Sequence, residues 1–398
     1  MKKKLSKFLK DVKKDNSLRV KNSYYTFSKE YPAGNIPIKR RKNKRVQSRF
    51  LKALLLCLAF ILISSCCFFL FSLGLEISDK TPTDADSHFG QTGPDLPDTD
   101  EVRALYMPYE HLGDERYIKS FLREIKRKNC NSVVITFKTD EGRLNYSSKL
   151  EYAIKGNCSA FYNDTVRNAV DLFSKESIRV IARLYCFEDP TVAEACPELA
   201  VKYMDTDINW RDGSDESGGK PWLSPTLRRN HNYIADITKE LYALGIRGFI
   251  LESCSYPDSE NTETARFPGE KHFENRSDAL KALFTKVRKA LPDDAPVFMS
   301  YTATDAAEGN SALYGGYIGD AAYDGFTADL SVRDPAYTVD KKSKFSSILT
   351  LYSHIKEKNP DKQFIPVIDM SEYSLRYISA ARKQGYNSYI IYSSTGEY

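Results

Sequence analysis

From Val102 onward the chain repeats one pattern. Short runs rich in β-branched and aromatic residues alternate with longer stretches whose apolar residues recur every three or four positions. The short runs are "VRALYMP" (102–108), "SVVITFK" (132–138), "RVIARLYC" (179–186), "GFILESC" (248–254), "PVFMSYTA" (296–303), "GFTADLSV" (325–332), "QFIPVIDM" (363–370) and "SYIIYSS" (388–394). Between them lie "DERYIKSFLREIKRK" (114–128), "NDTVRNAVDLFSKE" (163–176), "NHNYIADITKELYALG" (230–245), "RSDALKALFTKVRKAL" (276–291) and "SSILTLYSHIKEK" (346–358). Strands separated by helices pair in parallel, because each connection must cross back over the sheet. Eight strand–helix units over about 297 residues predict an α/β fold, a (β/α)8 TIM-like barrel. A doubly wound sheet is the alternative, but no glycine-rich phosphate turn follows a strand here.

The region before the barrel has a different composition. Ala53–Leu75, "ALLLCLAFILISSCCFFLFSLGL", is 23 residues long and carries no charge. At about 1.5 Å per residue such a helix crosses a hydrocarbon core of roughly 30 Å. Residues 1–52 hold 18 Lys and Arg against 3 Asp and Glu, a net of +15, and the remainder holds 40 against 50, a net of −10. The basic flank predicts one transmembrane helix with residues 1–52 in the cytoplasm and residues 76–398 outside, anchored in the plasma membrane. "MKKKLSKFLKDVKKD" spaces Leu5, Phe8, Leu9 and Val12 as a basic amphipathic helix would, suited to anionic lipid. A solvated basic tail fits the same residues, and nucleic acid is not the expected partner. Residues 76–101, rich in Asp, Pro and Thr, read as a flexible stalk, and residues 102–398 as the barrel.

In a barrel of this type the carboxyl ends of the strands form the functional face. The fourth apolar run stops on Glu252, which the strand itself aims at that face. Asp305 follows the fifth run, Asp329 lies in the sixth and Asp369 in the seventh, and these are the candidate partners of Glu252 in catalysis. Lys138, Asp140, Arg183, Tyr185, Trp210, Asp212, Trp222, Tyr256 and Tyr301 are the candidate substrate-binding residues. Aromatic faces stack on the C–H faces of sugars, while carboxylates hold hydroxyls and move protons. Residues 203–224, "YMDTDINWRDGSDESGGKPWLS", hold both tryptophans and are expected to fold over the strand ends. Any one loop carboxylate can also serve as a helix cap.

The motifs "VVITFKTDEGRLNY" (133–146), "RVIARLYCFEDPTVAEACPELAVK" (179–202) and "NWRDGSDESGGKPWLSPTLRRNHNYIADITKELYALGIRGFILESCSYP" (209–257), with "FIPVIDM" (364–370), resemble the bacterial "putative glycosyl hydrolase domain" family. The resemblance implies a TIM barrel distantly related to the alpha-amylase superfamily, acting on a polysaccharide or other glycan. Lys138, Asp140, Gly142, Arg143, Asp189, Pro190, Trp210, Asp212, Gly213, Trp222, Pro225 and Asp369 match the family's motifs. Thr136 stands where the family has an acid, Glu252 replaces an Asp, and Ser255 replaces an Arg beside it. Without that cation the Glu252 carboxyl is expected to lie above the ordinary range.

No GxSxG elbow, Walker loop, CxxC or HxxxH spacing occurs, and with five His no metal or cofactor is expected. Cys57, Cys66 and Cys67 lie in the apolar span, leaving Cys130, Cys158, Cys186, Cys196 and Cys254 outside. Cys186 and Cys254 end neighbouring strands, so their pairing is geometrically plausible. Two functions remain: a membrane-anchored glycoside hydrolase acting on extracellular or cell-wall polysaccharide, or a catalytically silent carbohydrate-binding or envelope-scaffold protein on the same barrel.

Overall fold

The computed structural model describes residues 101–398 except 215–218, 260, 303–304, 307–311, 331–351, 371–373 and 394–398. All of them belong to the compact unit Ser87–Tyr398. The basic arm, the apolar span and nearly all of the stalk lie outside the described residues. Among the described residues no helix is long and apolar enough to cross a membrane.

Eight parallel strands close into a barrel. They are β1 (Arg103–Met107), β2 (Ser132–Lys138), β3 (Arg179–Tyr185), β4 (Phe249–Glu252), β5 (Val297–Tyr301), β6 (Gly325–Asp329), β7 (Gln363–Asp369) and β8 (Tyr389–Tyr392). Each pairs with the next in sequence, and β8 returns to β1 through Arg103 opposite Tyr389 and Leu105 opposite Ile391. All eight expected strands form, and the barrel is the expected fold. The reason is visible in β2, whose seven residues are all buried: a strand packed on both faces can be apolar throughout.

The apolar side chains divide into two layers. Val102, Ala104, Val134, Ile181, Ile250, Phe298, Ile365 and Ile390 fill the barrel interior. A larger cluster, with Leu105, Val133, Ile135, Val180, Phe249 and Ile391, lies between the strands and the helices. Helices α1 (Glu115–Arg127), α2 (Asn163–Ser174), α3 (Arg228–Ala243), α4 (Arg276–Ala290) and α5 (Ser374–Lys383) supply the outer side of that layer. Residues 352–358 are helical after β6, so part of the expected 346–358 helix lies outside the described residues. Asp114 caps α1 by accepting from the Arg116 and Tyr117 amides at 3.0 Å.

One irregularity matters for the site. The β2–β3 register shifts between Thr136, opposite Arg183, and Lys138, opposite Leu184. This bulge turns Lys138 away from the lumen and into the outer layer.

Candidate active site

Strand register decides which side chains meet at the carboxyl ends. Thr136 pairs with Arg183, Arg183 with Ile250, and Tyr185 with Glu252. The same face continues from Ile250 to Phe298, from Ser300 to Thr327, from Asp329 to Val367, and from Asp369 to Tyr392. Ile250 and Phe298 belong to the interior cluster, against which Val367 and Tyr106 pack. Tyr106, Thr136, Arg183, Tyr185, Glu252, Asp329, Asp369 and Tyr392 therefore share the lumen face near its carboxyl rim.

Within this ring Arg183 Nε donates to Glu252 Oε1 at 2.8 Å, with 26% and 17% of the two side chains exposed. The guanidinium lies 5.0 Å from the Tyr185 ring centroid and 6.0 Å from that of Tyr106. Burial works against the Arg183 charge, but Glu252 and then Tyr185 more than offset it and raise its pKa. Tyr106 shares a 2.8 Å hydrogen bond with Thr136 Oγ1 and packs on Tyr392 at 5.0 Å between centroids. The expectation that Glu252 lacks a cation is corrected. Ser255 does stand at the family's arginine position, but Arg183 reaches Glu252 from the neighbouring strand. The premise for an elevated Glu252 carboxyl is thereby removed.

Glu188 follows β3 and differs in its surroundings. Ser253 Oγ donates to Glu188 Oε2 at 3.0 Å. Ser253 adopts φ 47°, a conformation that a residue with a side chain rarely takes, directly after Glu252. Burial pushes the Glu188 carboxyl up; Asp140 and Asp212 add to that, while the Ser253 bond and Lys220 pull it down. Lys220 is ion-paired with Glu141 at 2.6 Å and is also drawn to Asp140 and Glu188. The long loop thus reaches the rim through Asp212 and Lys220. It is tied to the end of β3 by the Leu223 amide donating to Phe187 O at 2.9 Å.

Several expected binding residues lie elsewhere. Lys138 is fully buried, donating to Tyr185 O at 2.7 Å and ion-paired with Asp189 at 2.8 Å. No sugar reaches it. Gly142 packs so closely on this pair that a Cβ there would come within 2.0 Å of Asp189 Oδ1. Trp210 is also wholly buried, its indole N–H shared between Asn261 O and Thr264 Oγ1 at 3.2 Å, so it offers no stacking face. Tyr256 is buried with its hydroxyl on Arg276 O at 3.0 Å. Tyr301 is buried against Tyr314 and Phe326, sharing a hydrogen bond with Tyr323 at 3.2 Å. Asp305 is held in a local pair, accepting from Thr302 Oγ1 at 2.6 Å while its amide donates back at 3.1 Å. Trp222 is mostly buried and donates to Asp212 Oδ2 at 2.9 Å.

Tyr106, Thr136, Tyr392 and Glu188 stand at the rim outside the expected site residues. Tyr392 is detectable in sequence, since the alternation in "SYIIYSS" puts it on the face of Ile390. Glu188 is detectable as an acid following the third strand, but its burial and its Ser253 partner arise only on folding. Among the described residues no group of three His, Cys, Asp or Glu is arranged to hold a metal ion.

The sequence profile of the family described as "Putative glycosyl hydrolase domain" matches residues 104–305, just over half of the chain. The chain belongs to that family. The glycosyl hydrolase domain match contains Arg183, Glu188 and Glu252 and ends before Asp329 and Asp369. No curated protein matches the chain in sequence. The glycoside hydrolase domain of PgaB (BpsB) from Bordetella bronchiseptica is similar in structure, with a TM-score of 0.52 at 12% identity, covering 74% of this chain and 95% of that one. A hypothetical protein from Ruminiclostridium thermocellum gives 0.43 at 23% identity, covering 49% and 96%. The alpha-galactosidase TtGalA from Thermus thermophilus gives 0.46 at 11%, covering 75% and 59%. The PgaB likeness supports the barrel fold of this glycosyl hydrolase domain and carries nothing further.

Proposed function

We propose that the chain is a glycoside hydrolase held at the cell surface by residues 53–75, acting on an extracellular or cell-wall polysaccharide. The observation that carries this reading is a pair of carboxyl groups at adjacent strand ends with opposite surroundings: Glu252 in a salt bridge with Arg183, and Glu188 pushed up by burial. Glycosidic cleavage needs one carboxyl group to give a proton and another to carry negative charge. Glu188 is the proton donor to the leaving oxygen. Glu252 supplies negative charge to the oxocarbenium-like centre, with Arg183 fixing which oxygen faces the sugar. Tyr106, Tyr185 and Tyr392 offer ring faces at the rim. Asp329 and Asp369 serve sugar hydroxyls from the far side of the ring.

The test is release of reducing ends from a polysaccharide panel by the full-length chain. Glu252→Gln is expected to cost at least about 10²-fold in rate, and the melting midpoint measured alongside separates that loss from the loss of the charge partner of Arg183. Retention of a glycan with no release, unaltered by Glu252→Gln, would replace hydrolysis with the binding-scaffold reading.

A further inference from the structure

Two cysteines flank the strand ends that carry the carboxyl groups. Cys186 is the first residue after β3 and Cys254 the second after β4. The Cys186 amide donates to Glu252 O at 2.8 Å and that of Phe187 to Ser253 O at 3.4 Å, so parallel pairing continues past Glu252. In an uninterrupted strand Cys254 would share the lumen face of Glu252, and Cys186 would face the helices. The left-handed Ser253 breaks that alternation. Both cysteines consequently lie in the outer core layer, 0% and 1% exposed. Both thiols are free, and Cys186 Sγ donates to Leu184 O at 3.8 Å.

We propose that Cys186 and Cys254 are an oxidation site, closing to a disulfide that ties the end of β3 to the end of β4. In the continued register Cys186 lies opposite Ser253, so Cys254 is its diagonal neighbour. Strands about 4.8 Å apart that rise about 3.3 Å per residue put the two Cα atoms roughly 6 Å apart, within the roughly 4.4–6.8 Å that a disulfide spans. One cysteine thiolate attacks a disulfide oxidant, either a small-molecule disulfide or a dithiol oxidoreductase, and expels one of its sulfurs as a thiol. The second cysteine attacks the mixed disulfide and expels the other. The two cysteines lose two electrons and two protons, and the oxidant leaves as two thiols. Burial holds the Cys254 thiol well above its ordinary pKa, so exchange waits for local opening of the strand ends or occurs while they pair. Cys196 acts on the buried Cys158 thiol, so these two form the rival pair. If the glycosidase reading holds, the bond also regulates that site, because it fixes the spacing of Glu188 and Glu252.

The test is a peptide map of the full-length chain in detergent. The chain is held with oxidised glutathione a few degrees below its melting midpoint, then trapped with iodoacetamide. Trypsin leaves Cys186 and Cys196 on one peptide, 184–202, so a glutamate-specific protease is added to cut after Glu188. The expected result is one peptide pair joined through Cys186 and Cys254, released by dithiothreitol and absent in Cys254→Ser. The melting midpoint should rise on oxidation in the wild type only. Recovery of both cysteines singly alkylated, or joined to Cys130, Cys158 or Cys196, overturns the proposal. Should Cys254→Ser fail to fold, the wild-type map decides alone. The map reads no activity, so its outcome is independent of whether the chain cleaves a glycan.

Discussion

Glu188 and Glu252 are the same residue type one strand apart, and their neighbours give them different work. Arg183 is bonded to one at 2.8 Å, while burial and two further acids act on the other. If Glu188 gives the proton, its protonated form is the active one, so kcat/KM falls as pH rises through its elevated pKa. Lys220 pulls that pKa down. Lys220→Met should therefore move the falling limb to higher pH, and Glu188→Gln should flatten that limb and cost about 10²- to 10⁴-fold. A pH–rate profile checks both, and a limb that does not move in Lys220→Met removes Glu188 from the role. Only part of this is legible in the sequence. Glu252 is, because an apolar run ending on an acid needs a reason. Its cation is not, because the family's arginine position, Ser255, lies on the same stretch of chain, whereas parallel pairing brings Arg183 from 69 residues away.

At the scale of elements, strands are legible because a barrel buries both their faces and makes them apolar runs. What alternation along a strand cannot reveal is an interruption of it. The bulge in β2 carries Lys138 from the expected binding face into a closed pair with Asp189, and the left-handed Ser253 re-aims Cys254. Nor does composition separate a tryptophan that packs a loop, such as Trp210, from one that lines a cleft. The Lys138–Asp189 pair has a measurable consequence. Asp189 also accepts from the Val192 amide at 2.9 Å, so it is fixed in place. Lys138→Met leaves that carboxylate buried and unpaired, and should lower stability by about 3–5 kcal/mol, read as a fall in the urea midpoint. A loss below about 1 kcal/mol would mean that the pair behaves as an exposed one.

At the scale of the whole molecule, charge and pH responses come apart. The basic arm, uncharged span and acidic remainder predict that protease added to intact cells removes residues 102–398 and spares the arm; a protected barrel would defeat that topology. His231 contributes to the acid limb of stability. It is buried between Phe187 and Phe273, with Nε2 at 2.6 Å from Pro225 O. Burial, helped by Arg228 and Lys286, depresses its pKa from 6.5 to about 4. The unfolded chain then binds a proton that the folded one refuses. Its contribution is complete above pH 6.5 and is lost as pH falls toward about 4, in all about 3 kcal/mol at about 1.4 kcal/mol per pH unit. His231→Gln should flatten the stability curve over that window in denaturant titrations, and an unchanged slope would discount the histidine. Closure of the barrel sets a clock as well. The Val102 amide donates to Ser388 Oγ across 286 residues of chain, so β1 has no partner on one side until β8 arrives. During synthesis the seven earlier strands form at most an open sheet with two bare edges, able to pair with any other strand nearby. The interval before β8 emerges is therefore when this chain is most exposed to misassembly, and a pause in translation ahead of Tyr389 would lengthen it.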